Sequence, residues 1–188
     1  MTERSTEAIT SDKYLALKKD LAVRGYEREM HWARTITPPP SAEDFATEII
    51  FVICNSGMKA QIARPIYERI MNALLAEVPV SAVFNHTGKA AAIESIWKNR
   101  LQLFWLYAFA SDKLEFIEIL PWIGPITRWH VAKNFGLDVI KPDRHLVRLA
   151  AAANCTPQAL CAKIAAHTGD CLPLVDTVLW RAANLGLI

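Results

Sequence analysis

The chain has 188 residues, of which 52% are hydrophobic and 21% charged, with a formal net charge of +2. That length suffices for one domain with a proper core or for two small lobes, and the composition is that of a globular protein. Its apolar stretches, Phe45 to Ile53 and Leu101 to Ala110, fall short of the ~20 residues that cross a bilayer, so no membrane span is expected. The start, Met1-Thr2-Glu3-Arg4, is polar where a signal peptide needs an apolar run, so the expectation is a soluble cytoplasmic protein.

Residues 10 to 33 carry Tyr14, Leu15, Leu17, Leu21 and Val23 at a helical period, and the spacing predicts one helix stopped by Thr37-Pro38-Pro39-Pro40. Ser41 starts the next, with Asp44 three residues later as a capping-box variant, and Phe45, Ile49, Ile50 and Ile53 form its apolar side. Asn55-Ser56-Gly57 interrupts it. A further helix is expected over Gln61 to Leu75, with Pro65 near its first turn. The β-branched run Val78 to Val83 has no partner run elsewhere and reads as a connection with short helical character.

Helices are then predicted over Lys89 to Asn99, Leu101 to Ala110, Lys113 to Ile119, Ile126 to Asn134, Arg144 to Ala153, Pro157 to His167 and Pro173 to Asn184. Thr156 before Pro157 is a strong N-cap, and Gly169 and Gly186 stand where helix C-termini favour positive φ. The expected fold class is all-α, with no internal repeat and no linker long enough to free one part from another. Cys54, Cys155, Cys161 and Cys171 lack CxxC spacing and are too scattered for a disulfide framework. They are expected to be buried, reduced thiols, with neither a metal nor a cofactor bound.

Two segments carry the chemistry. In Leu120-Pro121-Trp122-Ile123-Gly124-Pro125 a proline ends one helix, Gly124 is expected to supply the turn, and the next helix offers free amides around Ile126, Thr127 and Arg128 to an anion. By itself this also describes an ordinary corner between helices. In Lys141-Pro142-Asp143-Arg144-His145-Leu146-Val147-Arg148 the proline forces the preceding chain out of helix, and Asp143 is a good N-cap, a role that would explain it alone. From Trp122 to Arg148 five cations, Arg128, Lys133, Lys141, Arg144 and Arg148, face two carboxylates, Asp138 and Asp143, with His130 and His145 besides. Such a balance suits phosphate contacts or a solvated helix face.

The hairpin together with Asp143-x-His145-x-x-Arg148, 19 positions beyond Gly124, resembles the helix-hairpin-helix (HhH-GPD) superfamily of DNA glycosylases, with an endonuclease III-like fold. The family hairpin usually reads Leu-Pro-Gly-hydrophobic-Gly; here Trp122 replaces the first glycine and Pro125 follows the second. The resemblance covers roughly residues 41 to 188 and is strong from Leu120 to Arg148, while residues 1 to 40 have no counterpart. It implies two helical lobes with a cleft between them: residues 44–135 ending in the hairpin, and residues 1–43 plus 136–188. Iron-sulfur members place four cysteines in one C-terminal loop, a set this chain lacks, so no cluster is expected.

The resemblance implies a monomeric enzyme of base excision repair acting on double-stranded DNA with a damaged base, in the cytoplasm or another compartment that holds DNA. Asp143 takes the catalytic position, where a carboxylate stabilises the oxocarbenium ion and orients water. Strand-cutting members place a Schiff-base lysine two residues after the second glycine; that position is Ile126, so the chemistry implied is monofunctional. DNA contacts fall to Trp122, Gly124, Ile126, Thr127, Arg128, Lys133 and His145. Asn55, Ser56, Met58 and Gln61 are candidates to fill the vacated stack, and Trp105, Trp122 and Trp129 to line a base pocket. Two other readings remain: a non-catalytic DNA-binding module, which needs no Asp143, and a helical protein-interaction domain, which needs neither motif.

Overall fold

The computed structural model describes residues 8–188; the polar start at Met1-Thr2-Glu3-Arg4 lies outside the described residues. Among the described residues the regular structure is helical throughout, with no strand, and the fold is all-α. Among the described residues no helix is long and apolar enough to cross a membrane. The described chain divides into two compact units, one of residues 8–37 with 136–188, the other of residues 38–135.

The first unit opens with α1, Ser11–Val23, and α2, Glu27–Thr35. The single helix expected over residues 10 to 33 is therefore two. Gly25 adopts φ +89°, and its amide and that of Tyr26 turn back onto the carbonyls of Ala22 and Leu21 at 3.0 Å each, closing α1. A left-handed residue ends a helix whatever the apolar period around it. At its other end Thr10 Oγ1 accepts from the Lys13 amide at 3.2 Å.

The second unit holds α3 (Ala42–Asn55), α4 (Ala60–Leu75), a 3₁₀ turn at Val80–Ala82, α5 (Thr87–Lys98), α6 (Arg100–Phe109), α7 (Lys113–Glu118) and α8 (Thr127–Asn134). Ser41 caps α3, its Oγ accepting from the Asp44 amide at 3.0 Å. Behind that cap Phe45, Ile49, Ile50 and Ile53 are fully buried, because α4, α5, α6 and α8 all pack around α3. Phe45 anchors an aromatic cluster, with ring centroids 5.2 Å from Phe135 and 5.5 Å from Tyr107. Pro65 departs from expectation: it is the sixth residue of α4, inside the helix, where it withholds an N–H from the Gln61 carbonyl. The 3₁₀ turn is tied to α5 by the Val80 amide donating to Glu94 Oε1 at 2.7 Å.

The chain then completes the first unit with α9 (Arg144–Ala152), α10 (Pro157–Thr168) and α11 (Leu172–Asn184). Thr156 caps α10 through the Ala159 amide at 3.1 Å, and Gly169 and Gly186 adopt φ +72° and +70°. α11 is the core of this unit, burying Leu174, Val175, Val178 and Leu179 among α1, α2, α9 and α10. Two carboxylates fasten the segment before α9: Asp138 Oδ1 accepts from the Leu172 amide at 2.8 Å, and Asp176 Oδ2 from the Lys141 amide at 2.9 Å. The expectation of buried thiols holds for Cys54 and Cys161 but not for Cys155, which is exposed, or Cys171, which is half-buried. Cys155 is outside because it stands in the turn between α9 and α10, just after the left-handed Asn154.

Candidate functional site

The hairpin joins α7 to α8 within the second unit. Buried Leu120 and Ile123 anchor it, the Ile123 amide donating to the Leu120 carbonyl at 3.0 Å. Its left-handed residue is Trp122, at φ +66°, and not Gly124, which keeps out of that region. The expected source of the turn is thus corrected. The demand for positive φ falls where the family pattern has its first glycine, and a side chain there costs about 1–2 kcal/mol. Packing offsets it: the Trp122 ring meets His86 edge-on at 5.1 Å and lies over Gly88, where a β-carbon would sit 2.6 Å from Trp122 Cζ3.

The anion-facing amides are fewer than expected. The Arg128 amide donates to the Gly124 carbonyl at 2.9 Å, and the Gly124 amide to Thr127 Oγ1 at 2.8 Å. Ile126 and Thr127 remain, their amides making no hydrogen bond with the described residues. Ile126, 62% exposed, stands at the mouth of α8. The expected side-chain contacts also turn inward. Arg128 pairs with Glu118 of α7 and lies 5.0 Å over the half-buried Trp129 ring, so its charge is neutralised within the hairpin. Lys133 is only 9% exposed and cannot lie along a DNA backbone without leaving its site.

Next to the hairpin, in the same unit, a cavity of about 430 Å³ is lined by Arg69, Ser81, Phe84, Asn85 and His86 among others. His86 caps α5 by accepting the Lys89 amide on Nδ1 at 3.4 Å, which puts the proton of a neutral ring on Nε2. These residues were not singled out from the sequence. The signal was present in His86-Thr87-Gly88, a capping residue and a glycine ahead of a helical run.

The α3–α4 turn is fastened rather than loose. Asn55 Nδ2 donates to the Phe51 carbonyl and Ser56 Oγ to that of Ile53, both at 2.8 Å. Those two side chains are spent on α3, so of the four candidates for filling a vacated stack, half-buried Met58 and exposed Gln61 remain available. Lys89, 4% exposed, donates from Nζ to the Ser56 carbonyl at 2.6 Å. Desolvation holds its amine below the usual lysine range, partly opposed by Cys54, whose own buried thiol is pushed up to about 11. Trp105 is half-exposed on α6 and stacks at 6.0 Å on exposed Phe109.

Asp143 belongs to the first unit, whereas the hairpin belongs to the second. It is the N-cap of α9, with Oδ1 accepting from the amides of His145 at 2.8 Å and Leu146 at 3.2 Å. Both cap bonds use one oxygen. Oδ2 accepts nothing from the described residues, and the side chain is half-buried. His145 has its Nε2 at 3.5 Å from Arg144 Nε, and Arg148 Nη2 donates to the Ile188 carbonyl at 3.0 Å.

Comparison with protein-family models, with curated proteins and with solved structures finds no match to this chain.

Proposed function

We propose that the protein is a monofunctional DNA glycosylase of the HhH-GPD type, which removes a damaged base from double-stranded DNA by hydrolysing its N-glycosidic bond. The observation that carries this reading is the division of labour in the Asp143 carboxylate: Oδ1 holds the start of α9, and Oδ2 is left without a partner among the described residues. A group used for capping alone needs no more than Oδ1. The free oxygen suits stabilisation of positive charge on the sugar and orientation of the water that attacks its anomeric carbon. The base departs with the glycosidic electron pair, and the water proton is lost as the new C–O bond forms.

The hairpin supplies the binding half of the reading. The unbonded amides of Ile126 and Thr127 at the start of α8 suit a phosphate oxygen. Such contacts position the duplex without reading its sequence. With Ile126 in place of a lysine no Schiff base forms at that point, so water is the nucleophile.

The test is incubation with a panel of duplexes, each carrying one damaged base, followed by alkali to cut at abasic sites. Cleavage of at least one duplex after alkali is expected. Tight duplex binding without excision on any of them would assign a non-catalytic DNA-binding role. Failure to bind duplex at low salt would reject both.

A further inference from the structure

The first unit carries a second polar concavity, in the part of the chain that the glycosylase resemblance leaves unmatched. A cavity of about 420 Å³ lies between α1 and α2. From α1 it takes Leu15, Lys18, Lys19 and Ala22; from α2 it takes Glu27, Met30, His31 and Arg34. Both sets follow the spacing i, i+3, i+4, i+7, so each is one face of its helix. Much of both faces is open: Leu15 is 46% exposed and Lys19, His31 and Arg34 are at the surface, while Met30 is half-buried against the core.

One wall is fixed from behind. Asp170, whose side chain is 7% exposed, accepts Tyr14 Oη at 2.7 Å and Lys18 Nζ at 2.5 and 2.8 Å, with Arg34 Nη2 at 3.3 Å. Lys18 and Tyr14 come from α1, Arg34 from α2, so one buried carboxylate ties both walls and holds Lys18 and Arg34 in place. Lys19 and His31 make no side-chain hydrogen bond or ion pair with a described residue. Three permanent cations thus face Glu27 and Asp170, with a titratable imidazole beside them and an apolar floor of Leu15, Ala22 and Met30.

We propose that this groove binds a phosphoryl group attached to an apolar or flat body, the phosphate set between Lys19, His31 and Arg34 and the body lying on Leu15, Ala22 and Met30. A phosphate offers three acceptor oxygens to donors arriving from two helices, and the Arg fork retains free N–H groups beyond its bond to Asp170. Because Asp170 has already ordered Arg34 and Lys18, little side-chain freedom is lost when the ligand arrives. A phosphate monoester and the phosphodiester of a nucleic acid share this chemistry. The proposal does not depend on the glycosylase reading.

The experiment uses the full chain and follows the His31 ring and Met30 methyl signals by NMR, the Met30 signal serving for the variant without His31, during titration with phenyl phosphate, inorganic phosphate, phenol and an undamaged duplex. Lys19→Gln with His31→Gln is the variant, since both side chains are exposed and neither touches Asp170; a thermal melt checks its fold. Phenyl phosphate should move the His31 signals, bind more tightly than inorganic phosphate, and weaken about tenfold or more in the variant, in keeping with the loss of one or two charge-assisted bonds. Phenol should not bind. If duplex affinity is unchanged in the variant, the ligand is a phosphate monoester. If the salt slope of duplex binding falls by about 0.9, the share of the Lys19 charge, the groove takes a nucleic acid backbone. A Leu15→Glu variant should repel either one. Phenyl phosphate and duplex affinities both within twofold of wild type in both variants would overturn the proposal.

Discussion

The indole of Trp122 rests on the backbone of Gly88, so closely that a β-carbon on Gly88 would stand 2.6 Å from Trp122 Cζ3. Gly88 lies in the first turn of α5 and Trp122 holds the left-handed position of the hairpin, so this contact fixes the turn against the helix. Gly88→Ala should cost about 1–3 kcal/mol by overpacking. Trp122→Gly should lose ring contact but relieve the backbone, and the double variant should be more stable than the sum of the two changes allows. A double-mutant cycle in urea checks this; additivity within about 0.3 kcal/mol would show that the contact does not couple the two sites.

Asp143→Asn should abolish base excision, by about 100-fold or more, while duplex affinity stays within a factor of two or three. The amide retains an oxygen to cap α9, so stability should change by less than about 1 kcal/mol, since Asn caps nearly as well as Asp. Excision rates with a parallel thermal melt decide the matter. Wild-type turnover by the variant would return Asp143 to capping alone.

Arg128 offers a sharper test of the hairpin because its guanidinium is already paired with Glu118. Arg128→Gln should lower the melting temperature and leave the salt dependence of duplex binding nearly unchanged. A direct phosphate contact would instead reduce the slope of log affinity against log salt by about 0.9. Affinities between 50 and 200 mM salt distinguish the two.

The capping residues were readable in advance because their physics is local: Ser41, Asp143 and Thr156 each accept the amide two or three residues ahead. Arg128 and Lys133 were not. Each looks like a surface cation in one dimension, and only the packing of α7 against α8, and of α8 against α3, turns them inward. Gly25 carries a signal that the apolar period of residues 10 to 33 does not contain, since a glycine just past Val23 is free to turn left-handed and end the helix. The exchange of roles between Gly124 and Trp122 was hidden for a different reason: a bulky residue at positive φ contradicts local preference and persists only because His86 and Gly88 receive its ring.

Borohydride should trap no covalent complex between the protein and substrate DNA, and strands should break only after alkali, since the position of the attacking amine is Ile126. Ile126 is exposed, so Ile126→Lys should be accommodated without loss of fold. Efficient trapping by the unmodified protein would overturn the water mechanism.

Stability should fall in alkali because of Cys54. Its thiol titrates near 11 in the folded chain against an ordinary 9.0, so between those values the unfolded chain releases the proton first and is favoured. The stabilisation is complete below pH 9 and lost as pH rises through 11, amounting to roughly 3 kcal/mol. Lys89, held low, works with the opposite sign. Cys54→Ala should therefore show a shallower decline between pH 8 and pH 10.5 in urea unfolding; equal slopes would remove the thiol from the account.

The first unit is assembled from the two ends of the described chain, and this sets an order of events during synthesis. Residues 38–135 contain all the helices of their unit once Phe135 has left the ribosome. Tyr14 and Leu21, fully buried in the finished protein, must wait for Leu174 to Leu179. At ordinary elongation rates that interval is on the order of ten to thirty seconds. For that time α1 and α2 present their inner faces to the cell, so nascent chains stalled before Leu172 should carry one finished unit and a sticky leading hairpin, a natural client for a holdase.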